Sequence, residues 1–223
     1  MTDSAKYIPY KSIEIPNNDQ YTAATEFYAL MDKRRSVREF SNKWVEESVI
    51  ETIIKTAGTA PSGAHKQPWV FCAISNKELK HEIRLLAEAE EKLNYGSRMG
   101  EDWKKDLEPF GTNPVKEFID IAPWLIIVMR KPFDLDENGN KHKNYYVAES
   151  VGIAAGMLIS AIHQAGLVTL THTPSPMDFL AKILERPNNE KPFLLMPVGH
   201  PAKGAQIPDL QRKPIDEIAK YYR

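Results

Sequence analysis

Lys33-Arg34-Arg35-Ser36-Val37-Arg38 places four cations, one small hydroxyl and one β-branched residue within six positions. The run closes a stretch from Thr22 to Lys33 in which Ala24, Phe27, Leu30 and Met31 recur at helical spacing. Four unpaired cations cannot sit side by side in a core, so the group requires an anion or water. The planar guanidinium fork matches phosphate oxygens, and Ser36 adds a neutral donor beside it. A solvated charge run is the other reading of the same spacing. The residues that follow favour the first. Val37 and Phe40 alternate with Arg38 and Glu39, which predicts an extended segment with one buried face. A buried anchor holds the arginines in place, as a phosphate clamp for a cofactor requires.

Outward from this run, 223 residues suit one α/β domain with room for a sizeable core. A net charge of −1 argues against a nucleic-acid partner. The single cysteine, Cys72, lies in the apolar run 69–74 and fits a reducing compartment. The start, Met1 to Ile8, is polar and has no apolar h-region, and no stretch approaches about 20 apolar residues. A soluble cytoplasmic protein with no membrane contact is therefore expected. No metal site is expected either: Asp134, Asp136 and Asn138 are not followed by a ligand glutamate at the EF-hand offset, so a turn is the better reading.

Residues 1–20 carry prolines without a period and read as an extended arm, packed on a second subunit. Ser41 is a candidate cap for a helix carrying Val49, Ile50, Ile53 and Ile54, which ends near Gly58. Pro61 and Gly63 mark a tight loop before the strand 69–74, and small residues there let backbone amides approach a ligand. An ordinary helix–strand connection is the alternative, and His65 shares that ambiguity. A long helix runs from Asn76 to about Leu93, with Ile83, Leu86 and Ala87 inward. The charged, glycine-interrupted segment after it has few core residues, as lids do. Residues 123–129 are a buried strand. Tyr145 to Ala165 is apolar nearly all round, so it should be buried on most sides, and a subunit interface is expected to cover it. Gly152 and Gly156 share a face there. Leu167 to Thr173 alternates Thr169, Thr171 and Thr173 on one side of a strand, before a short helix, a last strand at 192–198 and a polar tail with a short terminal helix.

Arg34-Arg35-Ser36-Val37-Arg38, Ala60-Pro61-Ser62-Gly63-Ala64-His65-Lys66-Gln67-Pro68-Trp69 and the central apolar helix together resemble the FMN-dependent nitroreductase superfamily. Glu91 and Tyr95, Lys116 after them, Thr171-His172-Thr173-Pro174 and the tail Pro208 to Pro214 narrow the resemblance to its iodotyrosine-dehalogenating branch, over residues 21–218. The resemblance implies an α/β (α+β) fold: a central mixed sheet flanked by helices, in an intertwined homodimer. It implies a single domain over 21–223, with a lid at about 88–111 and a C-terminal extension at about 201–223.

By the same resemblance, Arg34, Arg35, Ser36 and Arg38 would hold the phosphate and ribityl chain of FMN, and Arg212 would join them. Pro61, Ser62 and Gly63 would lie along the flavin. Thr171, His172 and Thr173 would contact its ring, with Thr173 nearest N5 and acting in catalysis. Ala64, Glu91, Tyr95 and Lys116 would contact the substrate. The implied activity is reductive dehalogenation of halotyrosines, iodotyrosine giving tyrosine and iodide, fed by an external reductant or reductase. A general nitro- or quinone reductase of the same fold is the alternative, and a non-catalytic flavin-binding protein a third reading. Animal members carry an N-terminal membrane anchor, which is not expected here.

Overall fold

Leu125 to Met129 are buried without remainder, because their strand has a neighbour on each side and helices over both faces. The computed structural model describes residues 7–223; the first six residues of the expected arm lie outside the described residues. Strand β1 (Trp69–Ile74) pairs antiparallel with β2 (Trp124–Arg130), β2 with β6 (Lys191–Gly199), and β6 with β5 (Val168–Thr169). The order across the sheet is therefore β1-β2-β6-β5. A separate hairpin joins β3 (Phe133–Leu135) to β4 (Lys141–Lys143), and Asp136 closes its turn by accepting from the amides of Asn138 and Asn140. Among the described residues, the parallel part of the expected mixed sheet is a single bridge between Ser36 and Thr169.

The period of two along β2 divides the core. Leu125, Ile127 and Met129 face α3 (Lys77–Leu93), α5 (Phe118–Ile121) and α7 (Asp178–Ile183), where Ile83, Ala87, Ile119 and Leu180 pack. Ile126 and Val128 face α2 (Glu47–Gly58) and α6 (Val147–Gln164), meeting Ile50, Ile53, Val151, Leu158 and Ile162. The segment expected to act as a lid holds a π-turn, Asn94–Arg98, and α4 (Glu101–Leu107); α8 (Ile215–Ile218) lies near the C-terminus.

Several expectations are corrected. Helix α2 begins at Glu47, and Ser41 instead accepts the Lys43 amide at 3.0 Å. Leu86 is 40% exposed: Ile83 and Ala87, four apart, set the inner face of α3 and turn Leu86 to its flank. The threonine strand shrinks to two residues, resuming as a bridge from His172 to Leu195. Helix α6 is buried along one face only; Ile153 is 48% exposed, and nothing lies within 4 Å of a Cβ placed on Gly152 or Gly156. Its length and apolarity would allow a membrane span, yet Val151, Leu158 and Ile162 sit in the core as in a core helix.

The chain divides into two units, Met1–Arg34 and Arg35–Arg223. In the first, α1 (Gln20–Asp32) is capped by Asp19, which accepts the Thr22 amide at 3.0 Å and its hydroxyl at 2.6 Å. Arg34 ends this unit with its amide donating to the Met31 carbonyl at 3.1 Å.

Candidate active site

The arginine run is anchored as its alternation predicts. Val37 and Phe40 are buried, and the Val37 amide donates to the Thr169 carbonyl at 3.2 Å. Ser36 and Arg38 are thereby held beside β5, whose last residue, Thr169, stands two positions before Thr171-His172-Thr173. The Arg35 guanidinium donates to the Pro208 carbonyl, which ties the tail carrying Arg212 to the same place. Arg38 is half-buried, and no carboxylate pairs with it among the described residues. Burial pushes its pKa down, countered in part by nearby Tyr95. Its guanidinium stands 6.0 Å from the ring centre of Phe110, in the lid region. A cavity of about 620 Å³ opens here, lined by Arg38, Phe40, Thr112, Asn113 and Phe118 among others.

His172 exchanges both backbone hydrogen bonds with Leu195, at 2.8 and 2.9 Å. That pairing turns its imidazole into the interior, edge-on to Phe118 at 5.8 Å, and leaves Thr171 and Thr173 exposed on the other side. The His172 Nε2 is buried without a partner. Burial pushes its pKa down to about 3, with the positive charges of Lys116 and Arg38 acting in the same sense. The imidazole is therefore neutral at physiological pH.

The lid charges meet one another. Lys116 Nζ lies 3.1 Å from Glu91 Oε2, with the two side chains only 4% and 8% exposed. The same ammonium donates to Thr112 Oγ1 at 3.3 Å and to the Asn113 carbonyl, and it stands 5.7 Å from the centre of the Tyr95 ring. An ammonium has three protons, and this one has three acceptors. Glu91, Tyr95 and Lys116 thus form one constellation, next to Arg38 and His172.

The loop 61–64 is built with local strain but lies elsewhere. Ala64, His65 and Gln67 all take positive φ, at 50°, 55° and 47°, a conformation that costs non-glycine residues energy and concentrates at functional sites. Ser62 Oγ accepts the Gln67 amide at 2.9 Å and closes the loop. A Cβ on Gly63 would stand 3.0 Å from the Tyr146 ring and 3.1 Å from the Tyr145 carbonyl, so any side chain there makes these neighbours give way by a few tenths of an ångström. That contact is at the N-terminal end of α6, whereas β5 and the arginine run follow its C-terminal end. The 18 residues of α6 span about 27 Å. The loop also feeds β1, three strand spacings from β5, roughly 14 Å. Within one chain the structure brings Arg35, Ser36, Arg38, His172 and the lid residues together, and it holds Pro61, Ser62, Gly63 and Ala64 apart from them.

Sequence reasoning missed the support beneath the lid. Glu88 Oε1 accepts the Lys116 amide at 2.7 Å and Arg84 Nε at 2.7 Å. Arg84 also holds Asp120 at 2.8 Å, and Asp120 holds His81 at 3.1 Å. The signal was present as polar residues at 80, 84, 88 and 91, a stripe along the buried side of the helix directly beside Ile83 and Ala87.

Arg38 without a carboxylate and His172 with an unused nitrogen leave donors and space for an anionic, planar group, and an FMN phosphate and ring system fits them. Comparison with known proteins agrees. Residues 31–200 match the model of the nitroreductase family. The chain is 56% identical to the iodotyrosine deiodinase of Haliscomenobacter hydrossis, over 96% of each chain. It is 45% identical to iodotyrosine deiodinase 1 of Homo sapiens, over 97% of this chain and 75% of that one. A crystal structure of oxidized iodotyrosine deiodinase bound to FMN and 3-iodo-L-tyrosine superposes with a TM-score of 0.76 at 27% identity, over 88% of this chain and 99% of that one. A BluB-like flavoprotein of Clostridium difficile 630 shares the fold, with a TM-score of 0.68 at 20% identity over 88% of this chain and 98% of that one.

Proposed function

Because the chain belongs to the nitroreductase family, among its iodotyrosine deiodinases, we propose that it removes iodide reductively from iodotyrosine with FMN as its cofactor. When bound and reduced, FMN would supply the two electrons that, with one proton, replace the ring's iodine by hydrogen and release iodide.

The observation that carries this reading is the buried Glu91–Lys116 pair. Two charges withdrawn from water contribute little to stability, because desolvation offsets their attraction. They suit a ligand with one ammonium and one carboxylate. Each protein charge then exchanges its partner for one of the ligand's, and none is left uncompensated. An amino acid carries that pair at one end. Glu91 takes the ammonium, while Tyr95 and Lys116 take the carboxylate. At the other end the Ala64 amide steadies the phenolate oxygen, as an oxyanion hole does. Arg34, Arg35, Ser36, Arg38 and Arg212 hold the FMN phosphate and ribityl chain. Thr171 and His172 hold the ring, Pro61, Ser62 and Gly63 lie along it, and the exposed Thr173 hydroxyl is the donor at its N5.

The protein acts as a homodimer. Supporting this are the separation of the 61–64 loop from the arginine run and the open glycine face of α6. A second copy, related by a two-fold axis, brings the loop of one subunit to the arginines of the other. The lone Cys72 and the core packing of α6 support a cytoplasmic location away from the membrane.

The test is the absorbance of the purified protein, followed by titration of its flavin spectrum with iodotyrosine and with 4-nitrophenol. A yellow protein whose spectrum responds to iodotyrosine at far lower concentration is expected. An equal response to both points to a general nitro- or quinone reductase, and a colourless protein overturns the flavoenzyme reading.

A further inference from the structure

Helix α3 carries a polar stripe, Lys80, Arg84, Glu88 and Glu91, that contacts the segment 116–122 at four successive levels. Lys80 Nζ donates to the carbonyls of Asp120 at 3.0 Å and Ala122 at 2.5 Å. Arg84 holds the Asp120 carboxylate. Glu88 accepts the Lys116 amide, and Glu91 meets the Lys116 ammonium. Spacings of four, four and three put all of them on one helix face.

Three of these rungs are ordinary attachment: charges spent on carbonyls, a carboxylate or a partner charge. The Glu88 rung is different. Glu88 is 8% exposed, and one of its oxygens receives both a backbone amide and the Arg84 guanidinium at 2.7 Å. Burial raises the pKa of its carboxyl, but the Lys116 amide and Arg84 outweigh that, and the net shift is downward. A neutral acceptor would satisfy one amide at less desolvation cost. What the Glu88 oxygen adds, held in place by Arg84, is a fixed position for the amide of the residue that reads the substrate. Lys116 follows a turn in which Asn113 Oδ1 accepts the Val115 amide at 2.8 Å, and its own carbonyl accepts the Ile119 amide at 3.0 Å. With its amide held, the Lys116 backbone is fixed on both sides, and its side chain starts from one place.

We propose that Glu88, oriented by Arg84, is a positioning residue that sets where Lys116 presents its ammonium to the amino-acid end of the substrate. The proposal rests on the reading of Glu91, Tyr95 and Lys116 as the group that binds that end. A positioning carboxylate acts on zwitterionic ligands and not on the phenol end, which distinguishes it from a group that merely stabilises the fold.

The experiment measures quenching of the bound flavin's fluorescence by iodotyrosine and by 2-iodophenol in the FMN-loaded protein, together with amide exchange of a peptide covering 114–122. Glu88→Ala is expected to raise the Kd of iodotyrosine by about 10- to 50-fold and to speed exchange in that peptide. The Kd of iodophenol should move by less than about twofold. Glu88→Gln keeps the acceptor for the Lys116 amide and should recover iodotyrosine binding to within about threefold. Should Glu88→Ala not fold, Arg84→Lys keeps the charge, loses the donor that orients Glu88, and is expected to show the same selective loss to a smaller degree. Unchanged iodotyrosine binding, equal loss of both ligands, or Glu88→Gln behaving like Glu88→Ala each overturns the proposal. A wild-type protein that does not prefer iodotyrosine over iodophenol instead overturns the reading of the lid, and the positioning role with it.

Discussion

The proposed substrate lid and the proposed flavin cradle draw on the chain in opposite ways. Glu91, Tyr95 and Lys116 come from two neighbouring segments of one chain, and two of them are already in contact at 3.1 Å. The residues proposed for the cradle lie near opposite ends of α6, about 27 Å apart, with Gly63 against Tyr146 and Ser36 against Thr169. A recognition site formed within one subunit can be preformed and self-neutralised while empty. A cofactor site divided between the ends of a helix, as proposed, would need a second subunit. Substrate selectivity is therefore expected to be a property of each subunit, and cofactor retention a property of the pair.

The largest effect should come from the cradle. Each lost charge-assisted phosphate contact costs about 1.5–3 kcal/mol. Replacing Arg34 and Arg38 together by alanine should then weaken FMN by about 10²- to 10⁴-fold. Desalting should leave that variant colourless, and absorbance of the desalted protein checks it. Retention of the yellow colour would mean that the run is a solvated charge cluster after all.

The division between subunits has its own test. A subunit with Arg38→Ala and a subunit with Gly63→Val should each be nearly inactive alone. In a two-fold dimer of one of each, one site receives both an intact loop and an intact clamp. Mixed and re-equilibrated at equal amounts, the two should recover about a quarter of wild-type deiodination, since about half of the dimers are mixed and one site in two is whole. No recovery would place loop and clamp in the same subunit's site and erase the contrast.

For the lid, Glu91→Gln removes one member of the exchanging pair. Iodotyrosine should bind about 10- to 100-fold more weakly, while iodophenol, which has no zwitterion, stays nearly unchanged. Isothermal titration of both ligands decides it. Equal weakening would show that the lid does not read the amino-acid end.

How much of this was open to a reader of the sequence follows the same division. The buried strand 123–129, the long helix opening at Asn76 and the anchors Val37 and Phe40 were legible, because hydrophobic period is local. Ser41 misled because a serine before a helical pattern can equally close a turn, as it does with Lys43. The end of the threonine strand was hidden because pairing with Leu195 is decided 23 residues downstream. Glu91 and Lys116 were named only through resemblance; nothing in a charged helix distinguishes a buried glutamate from a solvated one. Glu88 was overlooked for that reason, since its partner is a backbone amide, which a sequence does not announce.

His172 supplies the smallest expected effect and sharpens the comparison from the side of stability. It sits where clamp and lid meet, buried, with Nε2 unpartnered and two cations near. Its pKa is about 3 in the folded chain against about 6.5 unfolded. Below pH 6.5 the unfolded chain takes up a proton that the folded chain refuses. Stability from this group is therefore full above pH 6.5 and is lost as pH falls toward 3. Between pH 7 and pH 5 the loss should be about 2 kcal/mol. Glu88 and Asp120, whose pKa values are also lowered, lose stability in the same direction, but only as pH falls into the ordinary carboxylate range, about 4, so they hardly act in this window. The measurement is urea unfolding at pH 7 and pH 5, for the wild type and for His172→Asn. The absolute stability of the variant can move either way, because an amide replaces a packed imidazole beside Phe118. The difference between the two pH values is the test, and it should shrink by about 2 kcal/mol in His172→Asn. If it does not, the imidazole is reached by water in the folded state, and the meeting point of clamp and lid is more open than the contacts of His172 require.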